Sequence, residues 1–161
     1  MKDPRRSERE LAKAIGVSQP TLQSMLRRLE QEGYVKEYTI IPDFRKLGYS
    51  LLALIFVKLK GGLSIEVVTE ARIAAKENLK KGPCEIIMLE RGMGLEYDGV
   101  IVSLHEDYAS YLKLKKWLNQ FAFLEMTRFD SFLVNLDDEV RYRPLTFSTL
   151  AKHLLTLKET E

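Results

Sequence analysis

The residue pattern predicts an α+β chain: two short helices with a wing, then a β-α-β-β-α-β unit, then an extra C-terminal helix. Three observations carry that prediction. Ser7 to Tyr38 holds two capped amphipathic patterns around Ala14-Ile15-Gly16-Val17-Ser18. Apolar strand-like runs alternate with helical patterns between Leu51 and Leu136, and Leu145, Phe147, Leu150, Ala151, Leu154 and Leu155 then recur at helical spacing. The first of these is the layout of a winged helix-turn-helix, which presents a helix to the major groove of DNA and so constrains function as well as fold.

Ser7 followed by Glu10 is a capping box, because hydroxyl and carboxylate each satisfy a backbone amide that has no intrahelical partner. A helix is predicted to start there, with Leu11, Ala14 and Ile15 on one face and Gly16 in the left-handed turn that ends it. Ser18 is suited to cap a second helix, in which Pro20 is tolerated because a first-turn amide has no bond to lose. Leu22, Met25, Leu26 and Leu29 recur at three and four residues and are expected to form its buried stripe, with Gly33 as the stop. Gln19, Thr21, Gln23, Ser24, Arg27 and Arg28 are left pointing outward. Gln19, Thr21, Gln23 and Ser24 have the donors and acceptors that read base edges, and Arg27 and Arg28 have the charge that holds phosphates. Tyr34 to Ile40 reads as the strand of a wing, carrying Lys36 toward a phosphate. A helical hairpin with a solvated charged face would use the same residues. The capping box, the Gly16 turn, the Ser18 cap and the Gly33 stop occurring together favour DNA binding.

Composition bounds the rest. With 161 residues and 45% hydrophobic content, the chain holds one ordinary domain or two small ones with a real core. A net charge of +2 and a pI near 8.6 are only mildly basic, so local clusters must carry the case for DNA. Met1 to Tyr38 contains eight Lys or Arg against six Asp or Glu, a small excess of the right sign. The lone Cys84 excludes an intrachain disulfide and, with two scattered histidines, argues against a structural zinc site; it reads as a small buried hydrophobe. The expectation is a cytoplasmic protein with no metal and no cofactor. Leu51 to Val57, the longest apolar run, is far too short to span a membrane.

The predicted domains are a helix-turn-helix over 1–41, a linker over 42–49, a sheet domain over 50–137 and a helical extension over 138–161. Leu51 to Leu59 reads as a buried strand, and Ser64 as the cap of a helix whose Val68, Ala71, Ala75 and Leu79 share a face. Glu85 to Leu89 and Gly99 to Leu104 read as strands around a glycine-rich turn. Tyr111, Leu114, Leu118 and Phe121 mark a second helix, and Ser131 to Leu136 a fourth strand. This order is the ferredoxin-like split unit. Its helices cover one face of the sheet, so the other apolar face is expected to be covered by a second copy, giving a homodimer or a higher even oligomer. Two-fold symmetry would then set two reading helices one helical turn of DNA, or a multiple, apart.

Glu10-Leu11-Ala12-Lys13 through Gly16-Val17-Ser18, Leu29-Glu30-Gln31-Glu32-Gly33-Tyr34-Val35-Lys36 and Lys46-Leu47-Gly48-Tyr49 resemble the Lrp/AsnC (feast/famine) transcription regulators. The resemblance extends to about Val134. It implies a winged helix-turn-helix joined to an effector-sensing, oligomerising domain, and hence a sequence-specific regulator of double-stranded DNA. In that family the turn before the third strand carries a Gly-acidic-Tyr-Asp signature where some members bind amino acids. Gly94, Glu96, Tyr97 and Asp98 correspond, although Leu95 stands between the glycine and the glutamate. Asp98 could receive an ammonium group and exposed amides a carboxylate, while a plain strand connection with a turn aspartate is the alternative.

A second departure from the family lies at the start. Its members open with a helix packed behind the reading pair, but only six residues precede Ser7, so either the C-terminal apolar series substitutes for that helix, in the same subunit or a partner, or the sequence begins late. The alternative function is an enzyme, since sirohaem decarboxylases resemble the same family and use C-terminal histidines. This chain offers only His105 and His153 and lacks the Tyr-Asn-Leu-Trp-Phe-like segment associated with them. His105, just ahead of Glu106-Asp107, reads as a helix-start residue, and no catalytic constellation stands out.

Overall fold

The computed structural model describes residues 7–78, 81–125, 129–140 and 145–146, apart from the Met93 side chain. The chain divides in sequence between Ile41 and Pro42 into two units. The first holds helices α1 (Glu8–Ile15) and α2 (Gln19–Gln31). Ser7 Oγ accepts the Glu10 amide at 3.3 Å and the Ser7 amide donates to Glu10 Oε2 at 2.9 Å, so the predicted capping box is formed. Gly16 sits at φ 76°, in the left-handed region where a Cβ would be penalised, and turns the chain into α2. Ser18 Oγ then accepts the Thr21 amide at 3.3 Å and starts the second helix.

The buried faces of these helices differ from expectation. Ala12 and Leu22 are the buried side chains of α1 and α2, whereas Ala14 is exposed and Ile15 and Met25 are 45% and 48% exposed. The helices α1 and α2 are in contact, and each buries a single side chain. Leu26 is half-buried, and Leu29 is 36% exposed. The predicted wing strand is corrected as well: Tyr34 to Ile40 forms no strand. Its start is taken up by bonds from the Tyr34 and Val35 amides to the Leu29 carbonyl, at 2.9 and 3.2 Å. Tyr38 then donates its hydroxyl to Glu30 Oε1 at 2.8 Å, which ties the segment back to α2.

In the second unit, Phe44–Leu47 winds into a 3-10 helix where a plain linker was expected. Asp43 Oδ1 starts it by accepting the Arg45 amide at 3.1 Å. The sheet follows in the order β2-β3-β1-β4, antiparallel throughout, with β1 Leu51–Val57, β2 Glu85–Gly94, β3 Tyr97–His105 and β4 Asp130–Asn135. Helices α3 (Ile65–Asn78) and α4 (Tyr108–Leu118) complete the ferredoxin-like β-α-β-β-α-β arrangement. Ser64 Oγ accepts the Val67 amide at 3.3 Å, as its predicted capping role requires, while Leu79 lies outside the described residues. Phe121 falls beyond the end of α4 and still packs against the core. Of the predicted helical extension over 138–161 only residues 138–140, Leu145 and Thr146 are described, and none of them is helical.

Alternation along the strands sorts the two sheet faces. Ala53, Ile55, Val57 and Ile101 point to the helices and, with Tyr111, Leu114 and Leu118 of α4, form the core. Leu54, Phe56 and Val102 line the opposite face and remain partly exposed. Met88 and Phe132, which pair with Val102 and Leu54 in the ladder, are 41% and 64% exposed. His105 ends β3 and is fully buried, so it is not the start of α4; Asp107 is, accepting the Ser110 amide at 2.7 Å. Cys84 is half-buried and packs on the core edge, where burial pushes its thiol up to about 11.

Candidate nucleic-acid interface and hairpin site

On a helix of 3.6 residues per turn, Ser24, Arg27 and Arg28 fall opposite Leu22, the buried residue of α2. All three are exposed. Arg28 makes an ion pair with Glu32 one turn on, at 3.1 Å between side chains 77% and 45% exposed. So exposed a pair is worth little, about 0.3–0.5 kcal/mol, and yields readily to a stronger anion. Among the described residues, no hydrogen bond or ion pair engages Arg27.

The flanks of the helix are used differently. Gln23 donates Nε2 to Glu8 Oε2 at 2.7 Å, which ties α2 to the start of α1. The Thr21 hydroxyl lies 2.7 Å from Ser18 Oγ, within the cap. Gln19 and Lys36 are exposed, Gln19 in the first turn of α2 and Lys36 on the irregular segment that replaces the wing strand. The structure thus brings Gln19, Thr21, Gln23, Ser24, Arg27 and Arg28 onto one helix, with Thr21 and Gln23 hydrogen-bonded within the motif and Arg28 ion-paired to Glu32. Reading the sequence could not anticipate the Gln23 bond, because Glu8 belongs to the other helix.

The second candidate cluster is the β2–β3 hairpin. Its strands run further than predicted, and Gly94 pairs with Tyr97, which leaves Leu95-Glu96 as a two-residue turn. Both turn residues are left-handed, at φ 50° and 64°, as a turn that matches the sheet's twist demands. Side chains other than Asn, Asp or Gly seldom occupy that region, so the turn is held against local preference. Its clamps are visible. Lys58 Nζ donates to the Glu96 carbonyl, the Tyr97 hydroxyl donates to Asp130 Oδ2, and the Tyr97 ring leans on Phe56 at 5.6 Å between centroids. Asp98 Oδ2 accepts the Leu59 amide at 2.8 Å, a structural duty for a carboxylate expected to meet an ammonium group. Gly94, Glu96, Tyr97 and Asp98 are therefore collected at one hairpin end. Lys58 and Asp130 were missed because they reach it only through strand pairing and carry no local signal.

His105, the histidine an enzymatic reading would need, is closed off. Its Nε2 lies 2.9 Å from Ser103 Oγ and its Nδ1 3.4 Å from Ser110 Oγ, and burial holds its pKa below the usual 6.5. His153 lies outside the described residues. Among the described residues, no group of acidic, histidine or cysteine side chains could hold a metal ion. No described helix is long and apolar enough to cross a membrane.

Comparisons with known proteins match both halves of this picture. Residues 1–36 match the winged helix-turn-helix DNA-binding family. The HTH-type transcriptional regulator FL11 of Pyrococcus horikoshii is 38% identical over 93 residues, which is 58% of this chain and 55% of that protein. The chain spans about half the length of the FL11 regulators it matches. Among solved structures, an AsnC family transcriptional regulator from Agrobacterium tumefaciens superposes with a TM-score of 0.69 at 17% identity, covering 92% of this chain and 91% of that one. A Neisseria meningitidis transcriptional regulator in complex with L-Met gives 0.68 at 20% identity, covering 91% and 88%. At such identities the structural likenesses establish the fold.

Proposed function

We propose that this chain, which has the helix-turn-helix and the fold of the Lrp/AsnC regulators, is a sequence-specific DNA-binding transcription regulator of the cytoplasm. The observation that carries this reading is the outward row of Ser24, Arg27 and Arg28, set opposite the buried Leu22 on a helix capped at Ser18. A polar row of this kind, with hydroxyl and guanidinium groups at successive turns, suits base edges and phosphates in the major groove. Gln19, Thr21, Gln23 and Ser24 are assigned to base edges or their surroundings, and Arg27, Arg28 and Lys36 to phosphates. The bonds of Gln23 and Thr21 within the motif orient the helix for that contact.

The reading extends to assembly and control. The open sheet face, with Phe132, Met88, Leu54 and Phe56, calls for a cover, and a second copy supplies the same apolar surface in a two-fold arrangement. A homodimer of this kind brings two reading helices to one side of a duplex. An amino acid is the proposed effector, on the strength of the L-Met complex formed by a protein of the same fold. The hairpin residues Gly94, Glu96, Tyr97 and Asp98 are its assigned surroundings. No catalytic step is assigned, because the described histidine is buried with both ring nitrogens facing serine hydroxyls.

Selection of bound fragments from the source genome, with and without a mixture of amino acids, tests this. Enrichment of inverted half-sites is expected. Arg27→Ala should then weaken binding to every enriched site and lower the salt slope by about one unit. Wild-type affinity and slope would remove Arg27 from the interface, and an absence of any enriched sequence would overturn the regulator reading.

A further inference from the structure

The sheet domain has a half-open pocket of about 580 Å³ between α3, the end of α4 and the helix-facing side of the sheet, with Arg72, Lys76 and Arg91 exposed at it. Its origin is in the sequence of α3. The face that α3 turns to the cavity carries Val68, Ala71 and Ala75, and the two alanines stop short of the space a larger residue would fill. Opposite them, Trp117, Phe121 and Phe123 form an aromatic wall, with ring centroids 4.8 and 5.5 Å apart.

The charges at this cavity are unequal. Arg72 and Lys76, one turn apart on α3, and Arg91 of β2 line it, together with Glu90 and Asp98. Arg91 pairs with Gly99, and Glu90 with Val100, so the pleat sends Arg91 to the same side as the cavity and Glu90 to the other. Asp98 has one oxygen engaged by the Leu59 amide. Three cations thus stand against a single carboxylate that already has a donor.

We propose that this cavity is a binding site for a small apolar monocarboxylate, with its hydrocarbon or aryl body against the aromatic wall and its carboxylate toward Arg72, Lys76 and Arg91. The volume is in the range of ordinary small-molecule pockets, the lining is apolar with a few convergent polar groups, and guanidinium–carboxylate contacts supply the orientation. An α-amino acid fits poorly, because its ammonium would enter beside three cations. The site lies on the helix side of the sheet, and its existence does not depend on the DNA-binding reading.

Trp117 is the chain's single tryptophan, so its fluorescence reports occupancy directly. The full-length protein is titrated with 4-phenylbutanoate, 4-phenylbutan-1-ol and 2-amino-4-phenylbutanoate, which share one apolar body. Saturable change is expected with the first at a concentration about tenfold lower than with either of the others. The exposed-site variant Arg72→Glu/Lys76→Glu should lose that preference, and Ala71→Phe, which fills the void, should lose the response altogether. Circular dichroism of each variant checks that it folds. Silence with all three compounds, equal response to acid and alcohol, a preference for the amino acid, or unchanged binding by the folded double variant would each overturn the proposal.

Discussion

The two units of this chain hold themselves together by different means. In the first, α1 and α2 bury little beyond Ala12 and Leu22, and definition comes from local bonds: the Ser7–Glu10 box, the Gly16 turn and the Ser18 cap. In the second, Ile55 and Leu114 are completely buried, and strands far apart in sequence are locked in register, as in Leu51 with His105 and with Asn135. Definition by caps leaves most side chains free to face a partner. Definition by a core commits them inward, and among the described residues leaves a sheet face and a pocket where something else can bind.

The sharpest test of this contrast is Leu114→Ala. Removing a fully buried leucine should destabilise the sheet domain by about 2–5 kcal/mol, read from denaturant unfolding of the full chain. A loss below about 1 kcal/mol would mean that the core relaxes into the space, and would weaken the contrast. Ser18→Ala should act more mildly, costing about 1 kcal/mol and showing as frayed helix and weaker DNA binding. An effect as large as that of Leu114→Ala would show that the first unit has more tertiary support than its burial implies.

The smallest effect concerns pH. Burial favours neutral His105 in the folded chain and lowers its pKa, while Asp107 pulls the other way. The unfolded chain therefore binds a proton that the folded chain resists. The stabilisation by neutral His105 is complete above about pH 6.5 and declines as pH falls below it. His105→Gln should flatten that part of the stability curve, measured by unfolding at a series of pH values. An identical pH profile in the variant would assign the dependence elsewhere.

Legibility in the sequence followed the same division. The caps at Ser7, Ser18 and Ser64 were readable because hydroxyl and amide lie three residues apart, and the four strands because their apolar runs are long. The order of elements then implied the sheet. What escaped was whatever depended on a distant neighbour. Ala12, not Ala14 or Ile15, is the buried residue of α1, because tertiary contact selects one row of a broad apolar face. Tyr34 to Ile40 reads as a strand by composition, yet the Leu29 carbonyl and Glu30 carboxylate take up its first amides and its tyrosine hydroxyl. At the candidate sites, Arg27 and Arg28 were visible on the wheel of α2. The Leu95-Glu96 turn was not, since it is set by strand pairing on either side, and the cavity under α3 was not, since a void is a property of walls that lie far apart along the chain.

The place of β1 in the sheet has a last consequence, for biosynthesis. β1 is flanked by β3 on one side and by β4 on the other, and β4 is the final strand of its unit. On the ribosome, the helical pair can form as soon as it emerges, since its bonds span only a few residues. The central strand must wait, with one edge open, until Asp130–Asn135 has been translated. The segment that would read DNA therefore leaves the ribosome well before the scaffold that follows it can close.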